Sequence, residues 1–423
     1  MPLETIARAE GDRVDSCEPQ FPLCLTRAGD AVLRQALRRV CATLIPSVTG
    51  TAVRAVLLTG SMARGEGTVL LTPHRQIVFS DFDIAIVVPA PADARRLRPV
   101  YTALSRSLSQ MLQLGPCAHV DLGCIPLTMI RRPPAAIFFI ELRRHAKLLW
   151  GDPAVLDEMP SIDPGVVPVS DILTLVHNRT IEHLRTIGAD LSLPAQSLQL
   201  YSQCKAHIDS VTARLMLAGR YESQYQLRLT ACNALLPEEP AEDAARRHAW
   251  FNLKLAGEIE PFEQRWGGDL GSPAFSTGLR AEQERVAELL FELWRSTATA
   301  LLTREISDIG LLADEVLRQQ WSANAWLRGW YRFCRAGVGL PRLRRIAEGT
   351  PELLTYLTAV MLSRALPAYR RGDAAELASW LDLASRYYPL ARSAAGPLPA
   401  RWSALHQGLT RLHSLLIMHG KLN

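Results

Sequence analysis

Apolar positions recur every three or four residues through DAVLRQALRRVCATLIP, placing Leu33, Leu37, Val40, Cys41 and Leu44 on one face. That spacing predicts an amphipathic helix, with Asp30 able to cap its start and Pro46 following its end. The period then shortens. AVRAVLLTGS is a short apolar run closed by Gly60 and Ser61, a strand entering a turn. SDFDIAIVVP alternates strictly, with Phe82, Ile84, Ile86 and Val88 on one face and Asp81, Asp83 and Ala85 on the other. A helix is predicted from about Asp93 to Leu114, then a third strand in AHVDLGCIPL and a helix or helix–strand element in FFIELRRHAKLLWG.

After Trp150 the pattern changes. GDPAVLDEMPSIDPGVVPVSD holds prolines 153, 160, 164 and 168 and reads as a linker. From about Asp171 onward the periodicity is almost wholly helical, with loops near 237–240, 267–278 and Gly337 to Pro341. The predicted organisation is an extension over 1–29, a mixed domain over 30–152, a linker over 153–170, and helical regions over 171–310 and 311–423. The fold class expected is α+β: a small mixed sheet with flanking helices, followed by mainly α-helical regions.

Composition narrows the class without choosing a function. Of 423 residues 48% are hydrophobic and 21% charged, which supports buried cores and excludes a disordered or collagenous chain. No run approaches the roughly 18 apolar residues of a membrane span. The opening residues lack the apolar stretch of a secretory signal, so a cytoplasmic protein without membrane contact is expected. The eight cysteines are scattered with no CxxC, as reduced thiols would be. Cys117, His119 and Cys124 do not have the spacing of a structural zinc site. The net charge of +5 rests on arginine, because only Lys147, Lys205, Lys254 and Lys421 are lysines. It is compatible with phosphate-bearing partners and does not require them.

One constellation carries chemistry. Gly60-Ser61 ends a strand, Asp81 and Asp83 open the next, and Asp121 lies in a third. Aspartates at i and i+2 of a strand project to the same side, roughly 6.5–7 Å apart. Three carboxylates gathered there repel one another unless cations sit between them. Such a group suits Mg²⁺, which takes carboxylate oxygens and keeps substrate phosphates as further ligands. The Gly-Ser turn offers close backbone approach and a hydroxyl, both suited to a triphosphate.

LLTGSMARGEG, SDFDIAIVV and HVDLGCIPL, in that order, resemble the nucleotidyltransferase superfamily that includes DNA polymerase β and the aminoglycoside nucleotidyltransferases. The resemblance covers residues 31 to 150, and in character is nearest to bacterial small-molecule nucleotidyltransferases with a helical C-terminal region. It implies an enzyme that binds two Mg²⁺ (Mn²⁺ in vitro) through Asp81, Asp83 and Asp121 and the nucleotide through Gly60, Ser61 and Arg64. A nucleoside monophosphate would move from an NTP, ATP by default, to a hydroxyl of a small molecule, with release of pyrophosphate. Transfer to RNA or protein, nucleotide joining, and a non-catalytic nucleotide-binding or toxin–antitoxin role remain open. The segment between Ser61 and Asp81 is longer than usual for the family, and GTVLLTPHRQIVFS reads as a β-hairpin around Pro73-His74.

Other residues have two readings each. Arg64 and Glu66 are either part of the site or an exposed ion pair at a helix start. His119, two residues before Asp121, is either a base or a strand-edge hydrogen-bonding group. Lys205 and Asp209 stand one helical turn apart, as a surface ion pair would, whereas the resemblance makes Lys205 the lysine that reaches the triphosphate. Tyr221 and Tyr225 either stack on a base or pack in a core. Residues 316–347 hold seven arginines (Arg318, Arg328, Arg332, Arg335, Arg342, Arg344, Arg345), no acid, and Trp321, Trp326, Trp330, Tyr331 and Phe333. The helical spacing of Trp326, Trp330 and Phe333 fits a core stripe, and the arginines between aromatics fit an RNA-binding surface.

Overall fold

The computed structural model describes residues 21–72, 75–113, 115–188, 192–337, 341, 346–390 and 396–418. The chain falls into two units. The first runs to Val166 and includes Ser223–Gln226 and Asn252–Ile259; the second holds Val167–Glu222, Leu227–Phe251 and the chain from Glu260.

The first unit is built on a four-stranded sheet of β1 (Ala55–Leu58), β4 (Phe82–Val88), β5 (Val120–Pro126) and β6 (Lys147–Gly151), in the order β5-β4-β1-β6. β1 pairs antiparallel with β4 and with β6, whereas β4 and β5 are parallel. Parallel neighbours need a crossover, supplied here by helix α3 (Pro91–Leu112). Both faces of the sheet are covered. Val56, Leu58, Ile84, Ile86, Val120 and Leu122 share a core with Leu33, Leu37 and Leu44 of α1 (Arg27–Val48) and with Tyr101 and Leu108 of α3. On the other face Ala55, Leu57, Ala85, Val87 and Ile125 pack with residues of α4 (Leu127–Arg131) and α5 (Ile137–His145). Asp83 alternates onto this second face, at the end of the strand where its apolar run begins.

Two local expectations at α1 are corrected. The helix starts at Arg27, and its cap is Thr26, which accepts from Gly29 N. Asp30 lies in the first turn, where it accepts from Leu23 N and pairs with Arg34. Pro46 lies inside the last turn and not beyond it. There the Ser47 hydroxyl donates to Leu44 O and Thr49 donates to Ile45 O, so the terminal carbonyls find local partners. The long insert forms the expected hairpin, β2 (Val69–Thr72) and β3 (Arg75–Val78), antiparallel from Val69 opposite Val78 to Thr72 opposite Arg75. Pro73 and His74 lie outside the described residues.

The second unit is helical. Its packed centre is made by α6 (Val169–Arg185), α7 (Leu193–Leu217), α11 (Pro273–Leu302) and α14 (Pro351–Arg371). Between them in sequence run α8 (Tyr225–Leu235), α9 (Ala241–Ala256), α10 (Glu260–Trp266), α12 (Ile309–Gln319) and α13 (Ala323–Arg335), with α15 (Ala374–Tyr387) and α16 (Leu398–Leu412) following. The first two residues of α8 and the last turn of α9 belong to the first unit. Helix α11 begins at Pro273, within a stretch expected to be loop as far as 278, because Ser272 caps it by accepting from Phe275 N. Among the described residues no helix is long and apolar enough to cross a membrane, and the described cysteines form no disulfide.

Candidate active site

β1 delivers the chain to Thr59, whose N–H and hydroxyl both donate to Asp83 O, at 2.8 and 3.1 Å. The next residue, Gly60, has φ +67°, a left-handed conformation that favours glycine. A Cβ there would lie 2.2 Å from Asp83 Oδ2, so the Asp83 carboxylate occupies the space a side chain would fill. Ser61 follows in the single-turn helix α2 (Gly60–Ala63).

The parallel register sets Asp83 of β4 directly opposite Asp121 of β5. Facing residues on neighbouring strands point the same way and stand about 4.8 Å apart along the hydrogen-bonding direction. Asp83 is half-buried. The Asp121 side chain is exposed and makes no hydrogen bond or ion pair among the described residues. Asp81 lies just before β4 and is buried, with His119 Nδ1 2.8 Å from its Oδ1. The His119 ring is itself 53% exposed, so this contact joins solvent to a buried carboxylate. Burial, and then the Asp81 charge, raise the pKa of the nearby Cys117 thiol, so it stays protonated. Among the described residues no three or more His, Cys, Asp and Glu side chains form a cluster that could hold a metal ion.

A second group meets at Ser80. Its hydroxyl accepts from Thr68 N at 3.0 Å and from Lys254 Nζ at 2.6 Å, and lies 3.5 Å from Ser61 Oγ. The 3.5 Å contact is a hydrogen bond in which the Ser61 hydroxyl donates to Ser80, so three donors converge on the Ser80 oxygen. Lys254 is 4% exposed and also donates to Phe79 O. The Thr68 hydroxyl donates to Lys254 O, which ties the segment Asn252–Ile259 to the hairpin. The Tyr225 ring stands 5.8 Å from Lys254 Nζ and 4.7 Å from the Arg64 guanidinium carbon.

Arg64 and Glu66 are not an exposed pair, since their side chains are 3% and 6% accessible. Arg64 Nε donates to Glu66 at 2.7 Å and its Nη1 to Glu141, while Glu66 also accepts from Tyr225 N at 2.6 Å. Burial opposes the Arg64 charge, but Glu141, Tyr225 and Glu66 more than compensate, and its pKa rises. Burial first, and then the Arg64 charge, lower the pKa of His145.

Lys205 lies in the second unit, where it donates to the Tyr201 hydroxyl at 3.1 Å. The partner assigned to it from spacing, Asp209, accepts from Arg179 at 2.7 Å. Arg179 is buried and chelates Asp209 with Glu182, which takes that carboxylate out of a simple surface pair. Tyr221 is buried, its hydroxyl accepting from Arg228. In residues 316–347, Trp330 and Phe333 are core residues and Trp326 Nε1 donates to Ile346 O. Trp321 and Tyr331 are exposed, Arg318 pairs with Glu315 and Arg332 with Glu352. Arg342, Arg344 and Arg345 lie outside the described residues.

Sequence reasoning missed Ser80, Lys254 and Glu141 as neighbours of the Gly-Ser turn. The signals were slight. Ser80 directly precedes Asp81, and Lys254 is one of four lysines in the chain. No family model matches the chain, and no curated protein matches it. Among solved structures, spectinomycin adenyltransferase AAD(9) from Enterococcus faecialis, with ATP and spectinomycin, is similar at 14% identity and a TM-score of 0.31, over 62% of this chain and 99% of that one.

Proposed function

We propose that the first unit is a nucleotidyltransferase, moving a nucleoside monophosphate from an NTP, ATP by default, to a hydroxyl of a small molecule. The observation that carries this reading is the in-register pair Asp83 and Asp121 beside the left-handed Gly60 turn. Two carboxylates held side by side, one exposed and one seated over a glycine, are costly without a cation and suited to one. Asp83 and Asp121 would hold Mg²⁺, with Asp81 beside them. A divalent cation bound there supplies charge neutralisation for a triphosphate and for the oxygen that attacks it.

The chain's own groups divide the remaining work. Ser61 and Ser80 offer hydroxyls to phosphate oxygens, and Lys254 brings a fixed positive charge to the same place. Arg64, held by Glu66 and Glu141, keeps the turn and Tyr225 in position and does not itself receive the phosphate. Asp121 takes the proton from the acceptor hydroxyl as its oxygen attacks the α-phosphorus, and pyrophosphate leaves. Because Asp121 is exposed, a substrate hydroxyl can reach it.

The test is pyrophosphate release from each NTP with Mg²⁺ and a pool of hydroxylated metabolites. The parent releases pyrophosphate, and Asp121→Asn lowers the rate by about 10²–10⁴, the span of general-base catalysis. An undiminished rate in Asp121→Asn removes the base assignment. No release with any NTP or pool removes the enzyme reading.

A further inference from the structure

The second unit carries a cavity of about 380 Å³ lined by residues of α9, α10 and α11. Its apolar part is the Trp266 indole, laid on helix α11 at Gly278 and Ala281. A Cβ at Gly278 would come within 2.1 Å of the indole ring, so only glycine lets the ring lie this close to the helix backbone. Its polar part is arginine: Arg246, Arg265 and Arg285 line the cavity, with Glu242 at the side.

Arg246 and Arg285 share one buried carboxylate. Glu282 is 2% exposed, and its Oε2 lies 3.2 Å from Arg285 and 3.9 Å from Arg246. His207 and Trp250 contact its Oε1 at 3.0 and 3.4 Å. Burial works against the Glu282 charge, but the His207 hydrogen bond and the surrounding positive charges outweigh it and bring its pKa down to about 2. One permanent buried carboxylate thus serves two of the three guanidinium groups, Arg285 and Arg246. The remaining acids, Glu242 and Asp243, pair with the outer nitrogens of Arg246 but are 77% and 49% exposed, where ion pairs are weak. Two donors are left over. Arg246 Nε is buried with no hydrogen-bond acceptor, and Arg265 has no carboxylate partner, both among the described residues. A buried N–H left without an acceptor is a cost that a bound anion would remove.

We propose that this cavity binds a phosphoryl dianion, free or as a small monoester, between Arg246, Arg265 and Arg285 and over Trp266. Three guanidinium forks match a group with three terminal oxygens and about two charges better than they match a carboxylate. The volume lies within the range of small-molecule sites.

Isothermal titration of the full chain at low salt tests this with inorganic phosphate, phenyl phosphate and benzoate. Both phosphates should bind, and benzoate at least about tenfold more weakly. Tighter binding of phenyl phosphate identifies a monoester as the ligand class, and equal binding identifies free phosphate. Arg265→Gln, at an exposed position that leaves the fold intact, should weaken both phosphates by about tenfold or more, the cost of a charge-assisted hydrogen bond. Arg285→Gln should do the same. Phosphate binding unchanged in Arg265→Gln would place it at the candidate active site or elsewhere and overturn the proposal. Benzoate binding as tightly as phenyl phosphate would also overturn it.

Discussion

At Gly60 a single methyl group is enough to test the site. Its φ of +67° costs an alanine about 1–2 kcal/mol, and the added Cβ would meet Asp83 Oδ2 at 2.2 Å. Gly60→Ala should therefore unfold at a lower temperature and also lose pyrophosphate release by displacing the Asp83 carboxylate. Gly219→Ala is the control, because Gly219 has φ +65° but no atom within 4 Å of its Cβ position. It should share the stability loss and keep the activity. Equal activity in both variants would separate Gly60 from the chemistry. The Asp-x-Asp alternation and the Gly-Ser turn were legible because they are local patterns on one strand and one turn. The burial of Arg64 was not, since its partners Glu66 and Glu141 lie 2 and 77 residues away.

Among elements, periodicity located the sheet strands and the long helices, while the ends depended on contacts that periodicity does not encode. Thr26 displaced Asp30 as the α1 cap because Asp30 serves Leu23 N and Arg34 instead. In the second unit, helices α6, α11 and α14 meet at His177, which accepts from Trp294 Nε1 at 3.1 Å and stacks on Tyr356 at 4.8 Å. The hydrogen bond requires an unprotonated Nε2, and burial brings the His177 pKa down to about 3; burial likewise brings His183 to about 4. Both values lie below the unfolded 6.5, so between these limits the unfolded chain binds protons that the folded chain does not. Stability is thus fully present above pH 6.5 and falls as pH drops towards 3–4, by up to about 1.4 kcal/mol per pH unit for each histidine. Denaturant unfolding at pH 7, 6 and 5 should show this loss, less steeply in His177→Gln. An unchanged pH slope in that variant would mean His177 does not titrate this way.

At the scale of the whole molecule, what the sequence could not display is closure. Ser80 and Lys254 are 174 residues apart, yet they share a 2.6 Å hydrogen bond within one unit, which takes in two short segments from far along the chain. Spacing gave Lys205 only a helical neighbour in Asp209. Its link to a triphosphate came from the resemblance and from there being four lysines in the chain, and no local pattern joins Lys254 to the Gly-Ser turn. The α+β organisation was readable because it follows from the change of period after Trp150. The proposed chemistry turns on Asp83 and Asp121 binding a divalent cation together with the nucleotide. The direct measurement is thermal unfolding with ATP, with and without Mg²⁺, for the parent, Asp83→Asn and Asp121→Asn. ATP at about 100 times its dissociation constant should stabilise the parent by about 2.7 kcal/mol only when Mg²⁺ is present, and each variant should lose that Mg²⁺ dependence. A Mg²⁺-dependent shift of equal size in the parent and both variants would contradict it.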